Sequence, residues 1–229
     1  MQIDIRIMEL LSSRLCHDLV SPVSAINNGV ELISDIGESV TQEAMKLISD
    51  SGIKAARRLK CYRIAYGRAG SESPLSLKDV RQVVEQYLSE GKISIVWTDD
   101  AVAFELEDKK GYLKTLVNVI LLAEEALPYG GTIHLRKVAA KEPLGCCIEA
   151  CGKNASLNLK TQEALDGSAQ VDEVSSRTVH AYVTGKFVES FGFKISYEHT
   201  SNDSLVISLL TINQSTNKNE SNNNICASV

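Results

Sequence analysis

His17 is the side chain whose chemical type and setting best suit catalysis. It lies between Leu15 and Leu19 in a helical pattern, and two residues turn a helix by about 200°. Its imidazole therefore points away from the apolar seam that these leucines define, toward Arg14 and Ser21 one turn away. A neutral imidazole exposed in this way can act as a nucleophile toward phosphorus. An ordinary surface histidine is the alternative interpretation.

A cluster of basic residues with no acid between them follows on the next helical segment. Its members are Lys54, Arg57, Arg58, Lys60, Arg63 and Arg68. A turn of the chain near residue 38 brings position 59 level with His17, so the cluster is expected beside the imidazole. Guanidinium groups can steady phosphate oxygens or attract an acidic partner, whereas the simpler explanation is a solvated basic helix face.

Pro22 interrupts the same helical pattern five residues after His17. Proline has no amide hydrogen, so the carbonyl of Asp18 loses its usual helical donor, at a cost of about 3 kcal/mol. We interpret Pro22 as shaping the helix rather than taking part in chemistry.

Two long helices must position these residues. Apolar side chains recur every three or four residues over 1–36 and again from residue 44 to residue 66, with Gly37 between the two stretches. Two such helices joined by a short turn form an antiparallel hairpin. Each seam carries more apolar surface than one partner helix covers, so we expect two chains to form a dimeric four-helix bundle.

The pattern changes after residue 75 to shorter helices alternating with strands. Helices are predicted at 76–88, 110–127 and 176–191, and strands at 92–97, 102–106, 132–138, 145–150, 194–198 and 205–212. Strand 145–150 is almost wholly apolar and is predicted to be central, while 152–176 is predicted to be irregular. Mostly antiparallel strands mixed with helices indicate a two-layer α/β sandwich.

The chain is thus predicted to be an α+β protein with three parts. Residues 1–70 form a helical-hairpin dimerisation domain, 75–212 form the sandwich, and the Asn-rich segment 213–229 is a disordered tail. The 24 basic and 29 acidic side chains give a net charge of −5, which argues against nucleic-acid and membrane partners. No secretory signal is visible, and the six cysteines lack CxxC spacing, so a cytoplasmic protein with free thiols is expected.

Several segments resemble two-component histidine kinases. The run HDLVSP at 17–22 resembles their phosphoacceptor box, in which an acid follows the histidine and a proline lies five positions after it. The second half resembles their ATPase domain: 118–131 resembles the Asn-box helix and its turn, 145–157 lies at the first Gly box, and 187–195 resembles the helix and strand after the second.

The departures from the kinase pattern remove the means of holding a nucleotide. The position of the second Asn that faces ATP and Mg²⁺ is Leu122, the following basic residue is Glu125, and the adenine-reading aspartate falls near Ala150. The glycine-rich lid falls on 178–181, which contains no glycine. A phosphate cradle needs close backbone approach, and Mg²⁺ needs hard oxygen ligands. We therefore expect no ATP binding by the kinase mode.

An intact histidine on a kinase-like hairpin with a degenerate nucleotide site resembles histidine phosphotransferases of the ChpT type, whose signature is similar to the run 17–33. The resemblance implies an enzyme that carries a phosphohistidine intermediate and is not an ATP-dependent kinase. His17 would accept a phosphoryl group from the receiver domain of a CckA-like hybrid kinase and pass it to CtrA-like and CpdR-like response regulators. The chain would be a homodimer that binds no cofactor, with Mg²⁺ supplied by the receiver.

The resemblance also suggests roles for other residues near His17. Asp18 is a candidate for orienting the imidazole, although a solubilising role is an equal alternative. Candidates for contacting the receiver are Arg14, Ser21, Arg57, Arg58 and Lys60. Two further functions stay open at this point: an unconventional ATP-dependent histidine kinase, and a non-catalytic dimeric scaffold for receiver domains.

Overall fold

The computed structural model describes residues 4–36, 40–67, 75–98, 106–137 and 144–212. Helix α1, Ile5–Ile36, and helix α2, Thr41–Ala65, pack against each other as an antiparallel pair, which we call the hairpin. The predicted helical hairpin is confirmed. The predicted tail 213–229 lies outside the described residues, so it stays a prediction.

The two hairpin helices approach closely near their connection because α1 carries a glycine there. A Cβ atom added to Gly29 would lie 2.6 Å from Cγ1 of Ile48 and 3.2 Å from the carbonyl oxygen of Ala44 on α2. Such distances leave no room for a side chain without movement of the neighbouring helix. Gly29 therefore allows the two helices to approach closely next to the turn of the hairpin.

Four helices and five strands make up the described part of the second domain, which we call the sandwich. The helices are α3 (Leu77–Leu88), α4 (Tyr112–Glu125), α5 (Leu159–Asp166) and α6 (Val179–Ser190). The strands are β1 (Ile93–Trp97), β2 (Gly131–Lys137), β3 (Gly145–Cys151), β4 (Phe193–Ser201) and β5 (Ser204–Thr211). Their order in the sheet is β1-β2-β3-β5-β4.

Strand β3 is the middle strand, as its apolar sequence predicted. It pairs antiparallel with β2 and with β5, and β4 pairs antiparallel with β5, while β1 runs parallel to β2. Ile148 on β3 lies between Leu135 and Ile207 on the adjacent strands, and all three are at most 1% exposed. Leu116 and Ile120 of α4 belong to the same buried cluster. The predicted α+β fold is confirmed.

The segment 152–176 is more ordered than its polarity suggested. It contains α5, whose first turn is capped by the Asn158 side chain accepting from the amide of Thr161, and which ends at Gly167 with φ of 83°. A 3₁₀ turn follows at Val171–Glu173. The prediction of an irregular segment was wrong, because an Asn cap and a terminal glycine nine residues apart are themselves helix signals. Apart from Leu106, which lies in a turn, the predicted strand 102–106 falls outside the described residues.

The sandwich packs against the open end of the hairpin. Ile7 of α1 is 3% exposed and forms a small apolar cluster with Val174, Val179 and Val183. Helix α4 contacts the end of α2. None of the helices within the described ranges is long and apolar enough to cross a membrane.

Candidate functional site

His17 lies on α1 with its ring facing solvent. Its side chain is 88% exposed, so the predicted exposure of the imidazole is confirmed. Nδ1 lies 3.5 Å from Oδ1 of Asp18, which is the outer limit for a hydrogen bond. If Nδ1 carries the proton and donates it to this oxygen, Nε2 is the nitrogen available to react.

Asp18 is held by two side chains of α2. The hydroxyl of Tyr62 donates to Oδ2 of Asp18 over 2.6 Å, and the guanidinium of Arg58 donates to the backbone carbonyl of Asp18. That carbonyl is the one that Pro22 leaves without a helical donor, so Arg58 supplies the missing hydrogen bond. These contacts confirm that the basic segment around position 59 lies level with His17.

Arg14 joins α1 to the sandwich instead of lying free on the surface. It forms an ion pair with Glu125 at the end of α4, and the same carboxylate contacts Nδ1 of His180 over 2.7 Å. Burial by itself would raise the pKa of Glu125, but His180 and Arg14 together hold it below its ordinary value. The Arg14 side chain is 23% exposed, so part of it still reaches the surface.

The other predicted contact residues are placed differently from one another. Ser21 and Lys60 are exposed on α1 and α2. Arg57 is turned toward the end of α3, where it donates to Oγ of Ser89 over 3.2 Å and lies 3.9 Å from a carboxylate oxygen of Glu90. The structure therefore places Asp18, Arg58 and Arg14 in one connected arrangement beside His17, and Arg57 outside it.

An open cleft of about 370 Å³ separates the hairpin from the sandwich next to Asp18. The hairpin side is lined by Arg14, Asp18, Arg58 and Tyr62, and the sandwich side includes Tyr87 and Glu124. Burial raises the pKa of Glu124 to about 7, and the adjacent carboxylate of Glu125 adds to the shift. The cleft thus combines cationic and aromatic groups with a carboxyl that titrates near neutrality.

The positions that resemble a kinase nucleotide site face the chain's own hairpin. The side-chain amide of Asn118 donates to the carbonyl of Ala65 at the end of α2, over 2.8 Å. Leu122 is fully buried, and the ring of His180 packs edge-on to Tyr66 with centroids 6.1 Å apart. Together with the Arg14–Glu125 pair, these contacts place the hairpin against this face of α4 and α6.

Tyr62 is the residue of this arrangement that sequence reasoning missed. Its position falls within the apolar recurrence from residue 44 to residue 66, which predicts packing and no polar contact. The orphaned carbonyl at Pro22 gave no signal for Tyr62, because Arg58 supplies that donor whereas Tyr62 binds the side-chain carboxylate of Asp18.

The fold and the site define an α+β protein whose helical hairpin presents an exposed histidine beside an acid that the facing helix holds. Residues 77–203 match the family described as histidine phosphotransferase C-terminal domain. Protein phosphotransferase ChpT of Brucella abortus (strain 2308) is 33% identical over 195 residues, which cover 85% of this chain and 90% of that protein. The chain therefore belongs to the histidine phosphotransferase family.

Comparison of structures agrees with this assignment. A solved bacterial phosphotransferase matches with a TM-score of 0.73 and 29% identity, covering 91% of this chain and 98% of that chain. The histidine kinase AdeS of Acinetobacter baumannii is a more distant match, with a TM-score of 0.40 and 11% identity over 85% of this chain and 96% of that chain. The predicted class, a phosphotransferase of a phosphorelay and not a conventional kinase, is confirmed.

Proposed function

We propose that His17 is the phosphoacceptor of this phosphotransferase. It would take a phosphoryl group from the aspartyl phosphate of a receiver domain and pass it to the aspartate of a response regulator. The observation that carries the proposal is an imidazole that is 88% exposed beside an acid held by two side chains of α2. An exposed ring can enter a partner's active site, and a held acid can orient it.

The transfer needs no nucleotide. The lone pair of Nε2 attacks phosphorus, the bond from phosphorus to the aspartyl oxygen breaks, and the carboxylate leaves with the electron pair. Acyl phosphates and phosphoramidates are both energy-rich, so the step can run in either direction. Mg²⁺ held by the receiver would neutralise the phosphoryl oxygens, and this chain would contribute the nucleophile and a docking surface without a cofactor of its own.

The docking surface would consist mainly of the exposed residues around His17. Ser21 and Lys60 are exposed on the hairpin, whereas Arg14 and Arg58 already have partners within the chain and would present only their remaining donors. Arg57 would reach a receiver that extends toward α3. The donor would be a receiver of the CckA-like type and the acceptors would be CtrA-like and CpdR-like regulators, in the cytoplasm.

In a homodimer, the hairpin of a second copy would cover the apolar side chains that are exposed on α1 and α2. Many large apolar side chains of α1 and α2 are exposed in the single chain: Val20, Val23, Val30, Leu32, Ile36, Met45, Leu47, Ile53 and Leu59. A second copy is the occupant that matches this surface on both helices at once, because two identical hairpins bury equivalent apolar faces in a four-helix bundle.

Phosphotransfer from a panel of phosphorylated receivers tests the proposal directly. Wild-type protein is expected to acquire acid-labile label, and His17→Ala to lose at least about 100-fold of the transfer rate because the nucleophile is gone. His199→Ala is the matched control, since His199 is exposed on β4 and should leave transfer unchanged. Label that persists in His17→Ala would contradict the assignment.

The two alternative functions predict different results. An unconventional kinase would label His17 from radioactive ATP and Mg²⁺ without any receiver, whereas we expect no label under those conditions. A non-catalytic scaffold would support phosphate flow between receivers equally well as wild type and as His17→Ala.

A further inference from the structure

Tyr62 contacts Asp18 from the facing helix and is assigned no role in the transfer proposed above. Its ring lies between Tyr66 and Tyr87, with centroids 6.0 and 6.3 Å away, so its orientation is restricted. Its hydroxyl donates to Oδ2 of Asp18 over 2.6 Å, a short bond of the kind that a charged acceptor makes. The phenol thus binds the carboxylate that adjoins His17.

We propose that Tyr62 is a positioning residue that acts on His17 through Asp18. By binding Oδ2, it turns Oδ1 toward Nδ1 of His17, so that the ring keeps its proton on Nδ1 and presents the lone pair of Nε2 to phosphorus. This inference rests on the proposed role of His17 and deepens it.

The geometry leaves the Asp18 carboxylate little freedom. Arg58 binds the backbone carbonyl of the same residue, and Tyr62 binds one of the two carboxylate oxygens, so the remaining oxygen is the one that lies 3.5 Å from Nδ1. Both partners come from α2, so the orientation of an α1 side chain depends on the facing helix. A catalytic hydrogen bond that is long in the free protein can tighten in the reacting complex.

Charge development explains why the tightening would matter. As Nε2 bonds to phosphorus and the aspartyl oxygen departs, the imidazole becomes cationic while its proton stays on Nδ1. The Oδ1 atom of Asp18, which belongs to an anion, then faces a cationic donor, so the attraction between opposite charges adds to the hydrogen bond that the neutral ring makes. The interaction is therefore stronger in the transition state than in the ground state, which accelerates transfer.

Tyr62→Phe tests this effect because it removes the hydroxyl that binds Asp18 and keeps the aromatic packing. In single-turnover transfer from a saturating phosphorylated receiver, we expect the rate constant to fall about 5- to 20-fold, with the receiver concentration at half-saturation unchanged. Tyr197→Phe, on β4, is the matched control and should leave both quantities unchanged. A change confined to the half-saturating concentration would overturn the proposal, because it would indicate docking or packing instead.

A double-mutant cycle tests whether Tyr62 acts through Asp18. In the Asp18→Asn background, Tyr62→Phe is expected to alter the rate constant less than twofold, because the carboxylate that it positions is absent. Equal effects of Tyr62→Phe in both backgrounds would mean that Tyr62 acts by another route, and the proposal would be wrong.

A spectroscopic measurement separates this inference from the proposed function. In ¹⁵N-histidine-labelled protein, at a pH where the imidazole is neutral, the ¹⁵N shifts of His17 should show mainly the Nδ1–H tautomer in wild type and a shift toward Nε2–H in Tyr62→Phe. That result without phosphotransfer would refute the relay and support the positioning. Transfer with identical tautomers and rates in both proteins would refute the positioning alone.

Discussion

Pro22 and Arg58 form a matched pair across the hairpin. Pro22 is buried in α1 and removes the amide hydrogen that would bind the carbonyl of Asp18, and Arg58 donates to that carbonyl from α2. A partly buried carbonyl without a donor costs about 1–3 kcal/mol, so the guanidinium compensates for the proline. The break in the helix is thereby converted into a contact between helices one residue away from His17.

The pairing of Pro22 with Arg58 can be tested with a double-mutant cycle that measures the free energy of unfolding. Arg58→Gln should lower the free energy of unfolding by about 1–3 kcal/mol because the Asp18 carbonyl loses its donor. In the Pro22→Ala background the new amide can bind that carbonyl, so the same Arg58→Gln change should cost less than half as much. Urea denaturation of the four proteins at equal concentration measures both differences.

Lys60→Gln is the control for this cycle, because Lys60 is exposed two residues away on the same helix and should change stability by no more than about 0.5 kcal/mol. An Arg58→Gln cost that is the same with proline and with alanine at position 22 would show that Arg58 stabilises the hairpin by some other contact.

Among the elements, α4 connects the sandwich to the hairpin through charge. The carboxylate of Glu125 at its end binds Arg14 of α1 and His180 of α6, so one group joins three helices. Because the Glu125 side chain is only 26% exposed, this cluster is screened less by water than a surface ion pair. It fixes the sandwich one turn before His17.

This cluster predicts a pH-dependent contribution to stability. The pKa of Glu125 is lower in the folded protein than its ordinary value of 4.5, so its stabilisation is complete above about pH 4.5 and is lost as the pH falls through the lowered value. Glu125→Gln should therefore cost on the order of 1–3 kcal/mol at pH 7. The difference from wild type should shrink as the pH approaches 3, as measured by urea denaturation across this range.

Glu189→Gln is the matched control on α6. The Glu189 side chain is 75% exposed, so its removal should change stability little at any pH. A cost of Glu125→Gln that is independent of pH between 7 and 3 would contradict the charge-based account and favour a difference in shape or packing.

How far the sequence predicted these elements depended on whether the signal was local. The predicted helix 76–88 corresponds to α3, whose start is fixed locally by a capping box in which both hydrogen bonds between Ser76 and Asp79 are present. The register of the hairpin was predicted from its turn alone, and it placed position 59 level with His17, which agrees with the observed contact between Arg58 and Asp18. The bond between Tyr62 and Asp18 joins residues 44 positions apart, and its existence depends on rotamers that no spacing rule specifies.

The difference between local and long-range signals also applies to the face of α4 and α6 that contacts the hairpin. Leu122 and Glu125 stand where the resemblance to kinases would place nucleotide ligands, so the sequence predicts no ATP binding by the kinase mode, and this stays a prediction. That the face is covered by the hairpin could not be predicted, since it depends on how two domains dock. The partners of Asn118 and Glu125 on α2 and α1 follow from that docking.

At the scale of the whole molecule, the described part of the sandwich packs against the half of the hairpin that is remote from its turn. Its contacts with α1 include Ile7 and Arg14, and its contacts with α2 extend from Arg57 to Ala65. Toward the turn, apolar side chains of both helices stay exposed, among them Val23 at 47% and Val30 at 51%. Contiguous apolar surface of this kind is typical of an interface.

The proposed dimer therefore has a direct test at this scale. Wild-type protein should sediment at about 50 kDa, twice the chain mass of 25.0 kDa. The double change Val23→Glu and Val30→Glu places two charges one heptad apart on the exposed stripe of α1, so burial against a second copy would cost several kcal/mol. We expect this variant to sediment as a monomer with unchanged helical content by circular dichroism.

Leu159→Glu serves as the control, because Leu159 is 68% exposed on α5 of the sandwich and should leave the dimer intact. A wild-type chain that sediments at 25 kDa at micromolar concentration would refute the bundle. A double variant that remains dimeric would place the interface on another face of the hairpin. In a dimer built through the turn-side half, each His17 stays outside the buried core, since the stripe that contains Val23 and Val30 would be covered and the imidazole, 88% exposed, lies off that stripe.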